Sequence, residues 1–235
     1  MQQPQQQQQP QPQQQSARGG KRFTRHTGLA APYMYDNVST DTPAPPVSES
    51  LRAKGITGPA ASAFANVRYK ADGTENPDFV FNQEAYRRAS IMVVGRNYGT
   101  GSSRSTAVSL PLAAWGVRVY IGESFGPIFI TNAVQYGVLT ITLPRPTVDR
   151  IAEFVRKNST NRDITKAQIT VDLEKQVIEM PGEQPIAFEY NARYRNKLLK
   201  GLDDFSEIEP HLAAAQAKRQ QDQTERPWVY QYGKR

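Results

Sequence analysis

A glycine-rich loop with two serines and an arginine is the segment of this chain whose residue types best suit chemistry on an anion. The apolar run "SIMVV" (90–94) leads into "GRNYGTGSSRSTA" (95–107), where three glycines precede Ser102, Ser103 and Arg104. Backbone N–H groups at a helix start, hydroxyl donors and a planar guanidinium all favour a carboxylate or a phosphate. A glycine turn with a capping serine has the same composition, so the residues alone leave both interpretations open.

Three common catalytic or nucleotide-binding motifs are disfavoured. The loop has Arg104 where the dinucleotide fingerprint needs its third glycine, and no Gly-Lys-Ser/Thr follows as in a P-loop. The segment 122–126 spells G-E-S-F-G, the form of a hydrolase nucleophile elbow. An elbow serine needs a histidine base downstream, and the sequence offers only His211, in a charged segment beside Pro210.

Composition narrows the classes of function further. The 235 residues contain no cysteine and two histidines, so a thiolate-ligated cluster or a metal site built from this chain alone is not expected. Lys and Arg number 29 and Asp and Glu 22, but the excess charge of +7 is spread along the chain, which is weak evidence for nucleic acid. No apolar run approaches the roughly 20 residues needed to span a bilayer. We expect no nucleic-acid partner, no membrane association and a cytoplasmic location.

Three regions follow from the distribution of residue types. Residues 1–21 are dominated by Gln and Pro, which predicts a disordered tail. A folded domain is expected over 22–205, and a helical, charged extension over 206–235. Within the domain, residues 22–80 are rich in Pro, Ser and Thr and predict long surface loops with short strands.

From Ser90 onward, strands and helices alternate. The pattern predicts strands at 91–94, 117–122 and 138–143. It predicts helices after the first two strands, and Pro111 indicates a break or a late start in the first of these helices. A further helix is expected from a cap at Thr147, followed by a hairpin around Glu174-Lys175, a strand at 186–190 and a helix closed by Gly201. This order is typical of an α/β layer with an antiparallel extension.

An ordered series of motifs carries a family resemblance from about Phe23 to Trp228. The motifs are "FTRHTGLAAP", "NVSTDT", "NPDFVFN", "GRNYGTGSSR", "SFGPIFITNAVQYGVLTI", "LLKGLDD" and "ERPW". Together they resemble the small subunit of isopropylmalate isomerase (3-isopropylmalate dehydratase), the swivel domain of the aconitase superfamily. The resemblance implies an α/β fold for residues 22–205, the swivelling β/β/α domain of the aconitase C-terminal type.

The activity implied by the resemblance is that of a hydro-lyase made of two chains. Such an enzyme isomerises 2-isopropylmalate and 3-isopropylmalate by dehydration and rehydration in leucine biosynthesis. The resemblance implies a [4Fe-4S] cluster in a large partner subunit and no cofactor bound by this chain. The substrate would be a small hydroxy-dicarboxylate, and the enzyme would be a heterodimer or a higher hetero-oligomer.

The resemblance also implies roles for four residues. Ser102 matches the catalytic base, which removes the proton next to a carboxylate. Ser103 and Arg104 match contacts to a substrate carboxylate, and Asp41 matches the aspartate of the family's T-D segment. A serine is a poor base in water, but a helix N-terminus and a guanidinium stabilise its alkoxide.

Three positions in the loop depart from the family's G-C-G-S-S-R-E-H-A pattern. Thr100 stands in place of Cys, and Ser105 and Thr106 stand in place of Glu and His. Two alternatives therefore remain open. One is a divergent paralogue that acts on another hydroxy-diacid, of the methylmalate or homocitrate type. The other is a non-catalytic module that binds the partner subunit.

Overall fold

The computed structural model describes residues 22–101, 103–160, 164–202, 206 and 208–230. Within these ranges the strands are β1 (Arg25–Tyr33), β2 (Ala89–Val94), β3 (Val119–Gly122), β4 (Leu139–Thr142), β5 (Gln168–Asp172), β6 (Val177–Glu179) and β7 (Ile186–Ala187). The α-helices there are α1 (Glu49–Ala53), α2 (Pro59–Ser62), α3 (Ala65–Arg68), α4 (Thr106–Trp115), α5 (Pro127–Gln135), α6 (Arg145–Asn158), α7 (Ala192–Lys200) and α8 (Leu212–Glu225).

The described strands form one seven-stranded sheet in the order β4-β3-β2-β1-β5-β6-β7. The strands β1 to β4 are parallel to one another, so a crossover segment must link each of them to the next. On the other side of β1, the strands β5, β6 and β7 pair in antiparallel fashion. This arrangement confirms the predicted α/β layer with an antiparallel extension.

The strand β1 corrects the prediction of loops with short strands over residues 22–80. It is nine residues long and lies inside the sheet, paired with β2 on one edge and β5 on the other. Its small residues Gly28, Ala30 and Ala31 do not alternate with polar ones, so pattern alone did not reveal it. Three short helices, α1 to α3, also interrupt the region.

The helix α6 packs across β1, β2 and β3 through an apolar stripe. Ile151, Phe154 and Val155 are buried on that stripe, as the period of the sequence predicts. The expected cap at Thr147 is wrong. The amide N–H of Thr147 donates to the carbonyl of Pro144 at 2.9 Å, so Thr147 already lies inside a helix that begins at Arg145.

The helix α4 begins late, at Thr106, and continues through Pro111 without a break. A proline has no N–H to donate to the carbonyl four residues earlier, so the cost is one missing hydrogen bond inside the helix. Gly116 ends the helix in the left-handed conformation, with φ of 70°, and donates to the carbonyl of Leu112.

Beyond α7 the described residues include the exposed helix α8. It contacts mainly the 3₁₀ turns on either side of it, at Glu209–His211 and Pro227–Tyr230. The carboxylate of Asp222 holds the second turn by accepting hydrogen bonds from Arg226 and Tyr230. No helix in the described ranges is both long and apolar enough to cross a bilayer. The predicted tail, 1–21, lies outside the described residues.

Candidate functional site

Three loops meet at the carboxyl ends of the parallel strands. The segment 34–45 follows β1, the segment 95–105 follows β2, and the segment 123–126 follows β3. In sheets of this kind, ligands bind in the crevice outside the carboxyl ends of the strands. The predicted site residues belong to the first two of these loops.

Backbone hydrogen bonds join the first two loops beyond the ends of their strands. The N–H of Asn37 donates to the carbonyl of Arg96 at 2.8 Å, and the N–H of Gly99 donates to the carbonyl of Val38 at 2.8 Å. The N–H of Thr40 then donates to the carbonyl of Thr100 at 2.9 Å. The pairing of β1 with β2 is thus continued irregularly, and it brings the two loops into register.

Close packing also shapes the glycine loop. Gly99 has a φ of +73°, and a Cβ at this position would overlap the ring of Phe129. That ring is buried edge-on against Tyr98 and Tyr120, with centroids 5.3 and 5.2 Å away. On the opposite side, a Cβ on Gly126 would lie 2.5 Å from the carbonyl oxygen of Gly99. The backbone here approaches its neighbours so closely that only glycine fits.

Two of the predicted site residues form an ion pair. Nη1 of Arg104 lies 2.9 Å from Oδ1 of Asp41, and it also donates to the carbonyl of Ala44 at 3.4 Å. The N–H of Asp41 donates to Oγ of Ser39 at 3.0 Å, which fixes the turn that carries the carboxylate. The Arg104 and Asp41 side chains are 46% and 59% exposed, so solvent and ligands reach both.

An exposed ion pair of this kind contributes about 0–1 kcal/mol to stability. A dicarboxylate can therefore compete with Asp41 for the guanidinium of Arg104 at small cost. The guanidinium has further N–H donors in a planar fork, which suits bidentate binding of a second carboxylate. The arrangement can bind an anionic substrate without any change of fold.

Ser103 lies in the glycine loop, three residues before the start of α4. Its side chain is exposed, and its carbonyl accepts a hydrogen bond from Nδ2 of Asn132, on α5, at 3.4 Å. Ser102, the predicted base, lies outside the described residues, so its role stays a prediction. The structure thus brings Arg104 and Asp41 together. Ser103 directly precedes Arg104 in the sequence.

Prediction from sequence missed a cluster of charged residues at the same edge of the sheet. Arg145 lies 3.1 Å from Asp36, 3.5 Å from Glu123 and 2.9 Å from Asp149. The hydrogen bond from the N–H of Arg96, helped by Arg145, holds the pKa of Asp36 below its usual value. Because Asp36, Glu123 and Arg145 all follow parallel strands closely, their positions along the chain could have indicated this cluster.

Ser124, the serine of the G-x-S-x-G segment, has a structural contact. Its Oγ accepts the N–H of Asn97 at 2.8 Å, which attaches the glycine loop to the loop after β3. His211 is exposed in the 3₁₀ turn before α8. Neither observation supports a hydrolase triad.

The donor set of this chain does not fit an iron–sulfur cluster. The sequence contains no cysteine, and thiolates are the usual ligands of such clusters. Among the residues that the structure describes, no three His, Asp or Glu side chains are grouped as metal ligands would be.

Comparison with known proteins supports the resemblance to the isopropylmalate isomerase small subunit that the sequence motifs indicate. A model of the aconitase C-terminal domain matches residues 20–146. The 3-isopropylmalate dehydratase small subunit of Dinoroseobacter shibae is 38% identical over 209 residues, which are 89% of this chain and all of that protein. The small subunit of Gluconobacter oxydans is 41% identical over 192 residues, 82% of this chain and 88% of that protein.

A solved structure shows the same fold. The 3-isopropylmalate dehydratase of Methanocaldococcus jannaschii matches with a TM-score of 0.51 and 22% sequence identity, over 82% of this chain and 99% of that one. The predicted fold class, a swivelling domain of the aconitase C-terminal type, is thereby confirmed. By sequence over most of its length and by fold, this chain belongs to the aconitase C-terminal domain family, among the small subunits of 3-isopropylmalate dehydratase.

Proposed function

We propose that this chain is the small subunit of a 3-isopropylmalate dehydratase, which interconverts 2-isopropylmalate and 3-isopropylmalate by dehydration and rehydration. The names of its relatives support this function. The observation that carries it is the exposed pair of Arg104 and Asp41, held over the glycine loop at the carboxyl edge of the parallel strands. Leucine biosynthesis in the cytoplasm is the corresponding role.

In this proposal each site residue has a distinct task. Arg104 exchanges its contact with Asp41 for one with a substrate carboxylate, and Ser103 adds a hydroxyl donor beside it. Asp41 keeps the guanidinium in place while the site is empty. Ser102 accepts the proton next to the carboxylate, and the positive charge of Arg104 lowers the cost of the alkoxide that this requires.

A large subunit completes the enzyme. The chain has no thiolate for a cluster, so the [4Fe-4S] cluster belongs to the partner's own cysteines in this proposal. The hydroxy-dicarboxylate would bind between the two chains, with one carboxylate on Arg104. We also propose that residues 22–205 form the swivel domain, between the tail 1–21 and an extension over 206–235.

One observation favours a second candidate, a paralogue that acts on another hydroxy-diacid of the methylmalate or homocitrate type. Ser105 caps α4 without a side-chain hydrogen bond, and Thr106 is the first residue of that helix. Uncharged hydroxyl side chains therefore stand at a helix start beside Arg104, where the family pattern has Glu and His. These residues would alter the polarity of the site and so the side chain of the preferred diacid.

The experiment is reconstitution. The chain is assayed alone and with a co-expressed iron–sulfur large subunit, against 2-isopropylmalate, 3-isopropylmalate, a methylmalate and a homocitrate. We expect no turnover by the chain alone, and turnover of the isopropylmalates at about 1–10³ s⁻¹ by the complex. A preference for another diacid would favour the paralogue. A stable complex without turnover of any of these compounds would indicate a non-catalytic module instead.

A further inference from the structure

The backbone N–H and the backbone carbonyl of Arg96, at the base of the glycine loop, both form hydrogen bonds with the segment after β1. The N–H donates to Oδ1 of Asp36 at 2.8 Å, and the carbonyl accepts the N–H of Asn37 at 2.8 Å. The first of these contacts uses the side chain of Asp36, and a second side-chain hydrogen bond, from Nδ2 of Asn97 to Oδ1 of Asn37 at 3.0 Å, joins the same two segments. The carboxylate of Asp36 therefore continues the bridge between the two loops where the regular pairing of β1 and β2 has ended.

The carboxylate also packs against the loop backbone. A Cβ on Gly95 would overlap Oδ1 of Asp36 and would lie 2.6 Å from the carbonyl oxygen of Tyr35. Glycine at this position is what allows the carboxylate to approach the Arg96 amide. The contact between Asp36 and the loop therefore depends both on the carboxylate of Asp36 and on the absence of a side chain at Gly95.

Arg145 fixes the carboxylate from the other side. Its Nη1 lies 3.1 Å from Oδ1 of Asp36 and 3.5 Å from Oε2 of Glu123, while its Nε lies 2.9 Å from Asp149. The guanidinium therefore ties together the segments that follow β1, β3 and β4. Because several partners share one planar group, the rotamer of Asp36 is more restricted than that of an isolated surface carboxylate.

We propose that Asp36 is a positioning residue for the glycine loop: its carboxylate, held by Arg145, fixes the backbone of Arg96 and so the placement of Ser103 and Arg104 relative to Asp41. It does not touch substrate. The inference deepens the proposed function and rests on it where activity is the readout. A displacement of about 1 Å at a reacting group can lower the rate by as much as a hundredfold, so a contact that holds the base of the loop in place can affect catalysis.

Asp149 provides a matched control. Its carboxylate binds the same guanidinium, at 2.9 Å, and it lies on the first part of α6. It has no hydrogen bond to the glycine loop among the contacts of the described residues. A general loss of surface ion pairing would affect Asp36 and Asp149 variants equally, whereas positioning would affect only Asp36.

The experiment compares Asp36→Ala, Asp36→Asn and Asp149→Asn in the full chain and in its complex with the large subunit. We expect Asp36→Ala to lower kcat/KM by about 10- to 100-fold. Asp36→Asn retains an oxygen that accepts the Arg96 N–H, so it should recover kcat/KM to within about threefold of the unmodified enzyme. Asp149→Asn should change kcat/KM by less than about twofold.

Amide hydrogen exchange in the full chain gives a readout without turnover. We expect the Arg96 amide to exchange at least about tenfold faster in Asp36→Ala than in Asp149→Asn. If the complex turns over no diacid at all, the proposed function fails, and this exchange result still decides the inference. Equal exchange in the two variants, or equal kcat/KM in an active complex, would overturn it.

Discussion

The guanidinium of Arg104 lies 2.9 Å from the carboxylate of Asp41, although the two residues come from loops that follow different strands. The strands β1 and β2 are parallel neighbours, and three backbone hydrogen bonds continue their pairing into these loops. The ion pair is thus a consequence of the sheet order, and it presents a cation and an anion to solvent at one place.

Arg104→Lys should weaken substrate binding without unfolding the chain. Lysine keeps the charge but cannot form two parallel hydrogen bonds with a carboxylate, so KM of the reconstituted enzyme should rise by about 10-fold or more. Because the ion pair is exposed, the free energy of unfolding should change by less than about 1 kcal/mol. Steady-state kinetics and urea unfolding measure the two effects. An unchanged KM would remove Arg104 from the substrate site.

Ser102→Ala should abolish turnover while the complex still assembles. Removal of a general base lowers kcat by about a hundredfold or more. Ser50→Ala, at an exposed position on α1, is the control and should leave kcat unchanged. Size-exclusion chromatography with the large subunit checks assembly. Near-normal kcat in the Ser102→Ala complex would show that another group is the base.

Gly99→Ala should destabilise the domain through steric overlap. The new methyl group would meet the buried ring of Phe129, at a φ of +73° that alanine tolerates poorly. We expect the free energy of unfolding to fall by about 3 kcal/mol or more. Gly182→Ala is the matched control, since Gly182 has a φ of +79° but open space around it. Its loss should be about 1 kcal/mol, and equal losses would exclude packing as the cause.

Acidification should destabilise the domain through His26. Nε2 of His26 lies 2.8 Å from Oγ of Ser90, and burial, with a smaller contribution from Arg118, lowers the pKa of His26 below 6.5. The unfolded chain therefore binds the proton more readily than the folded one. The stability that neutral His26 contributes is present above pH 6.5 and is lost as the pH falls from there through the lowered folded pKa.

Thermal unfolding between pH 7.5 and 5.5 measures this dependence. His26→Asn should flatten the fall of Tm with decreasing pH, because the titrating group is removed. The exposed His211 serves as the comparison, and His211→Asn should keep the slope of the unmodified chain. If both variants keep that slope, protonation of His26 is not coupled to folding.

Several elements could be predicted because their patterns are local. The stripe of Ile151, Phe154 and Val155 predicts α6, and the turn at Glu174-Lys175 predicts the hairpin of β5 and β6. Both depend on the period of apolar residues over a short stretch, which a single sequence shows directly. The start of α6 was missed, since a proline rather than the expected Thr147 precedes its first turn.

Other features depend on contacts between distant residues. The strand β1 is held by pairing on both edges rather than by its own composition, so its sequence did not reveal it. The resemblance named Arg104 and Asp41, but only the parallel register of β1 and β2 brings them within 2.9 Å. The positions of Asp36 and Arg145 just after strands could have indicated a shared edge of the sheet, but that the two side chains meet depends on the order of four strands.

The fit of Gly99 between Phe129 and Gly126 also bears on how new specificities arise in such a loop. Steric contact with an aromatic cluster also constrains the path of the loop backbone, so substitutions at Thr100, Ser105 and Thr106 can change the functional groups of the site without moving that backbone. Laboratory evolution toward other diacids should therefore accumulate changes at these three positions, and it should leave the glycines and the phenylalanine untouched.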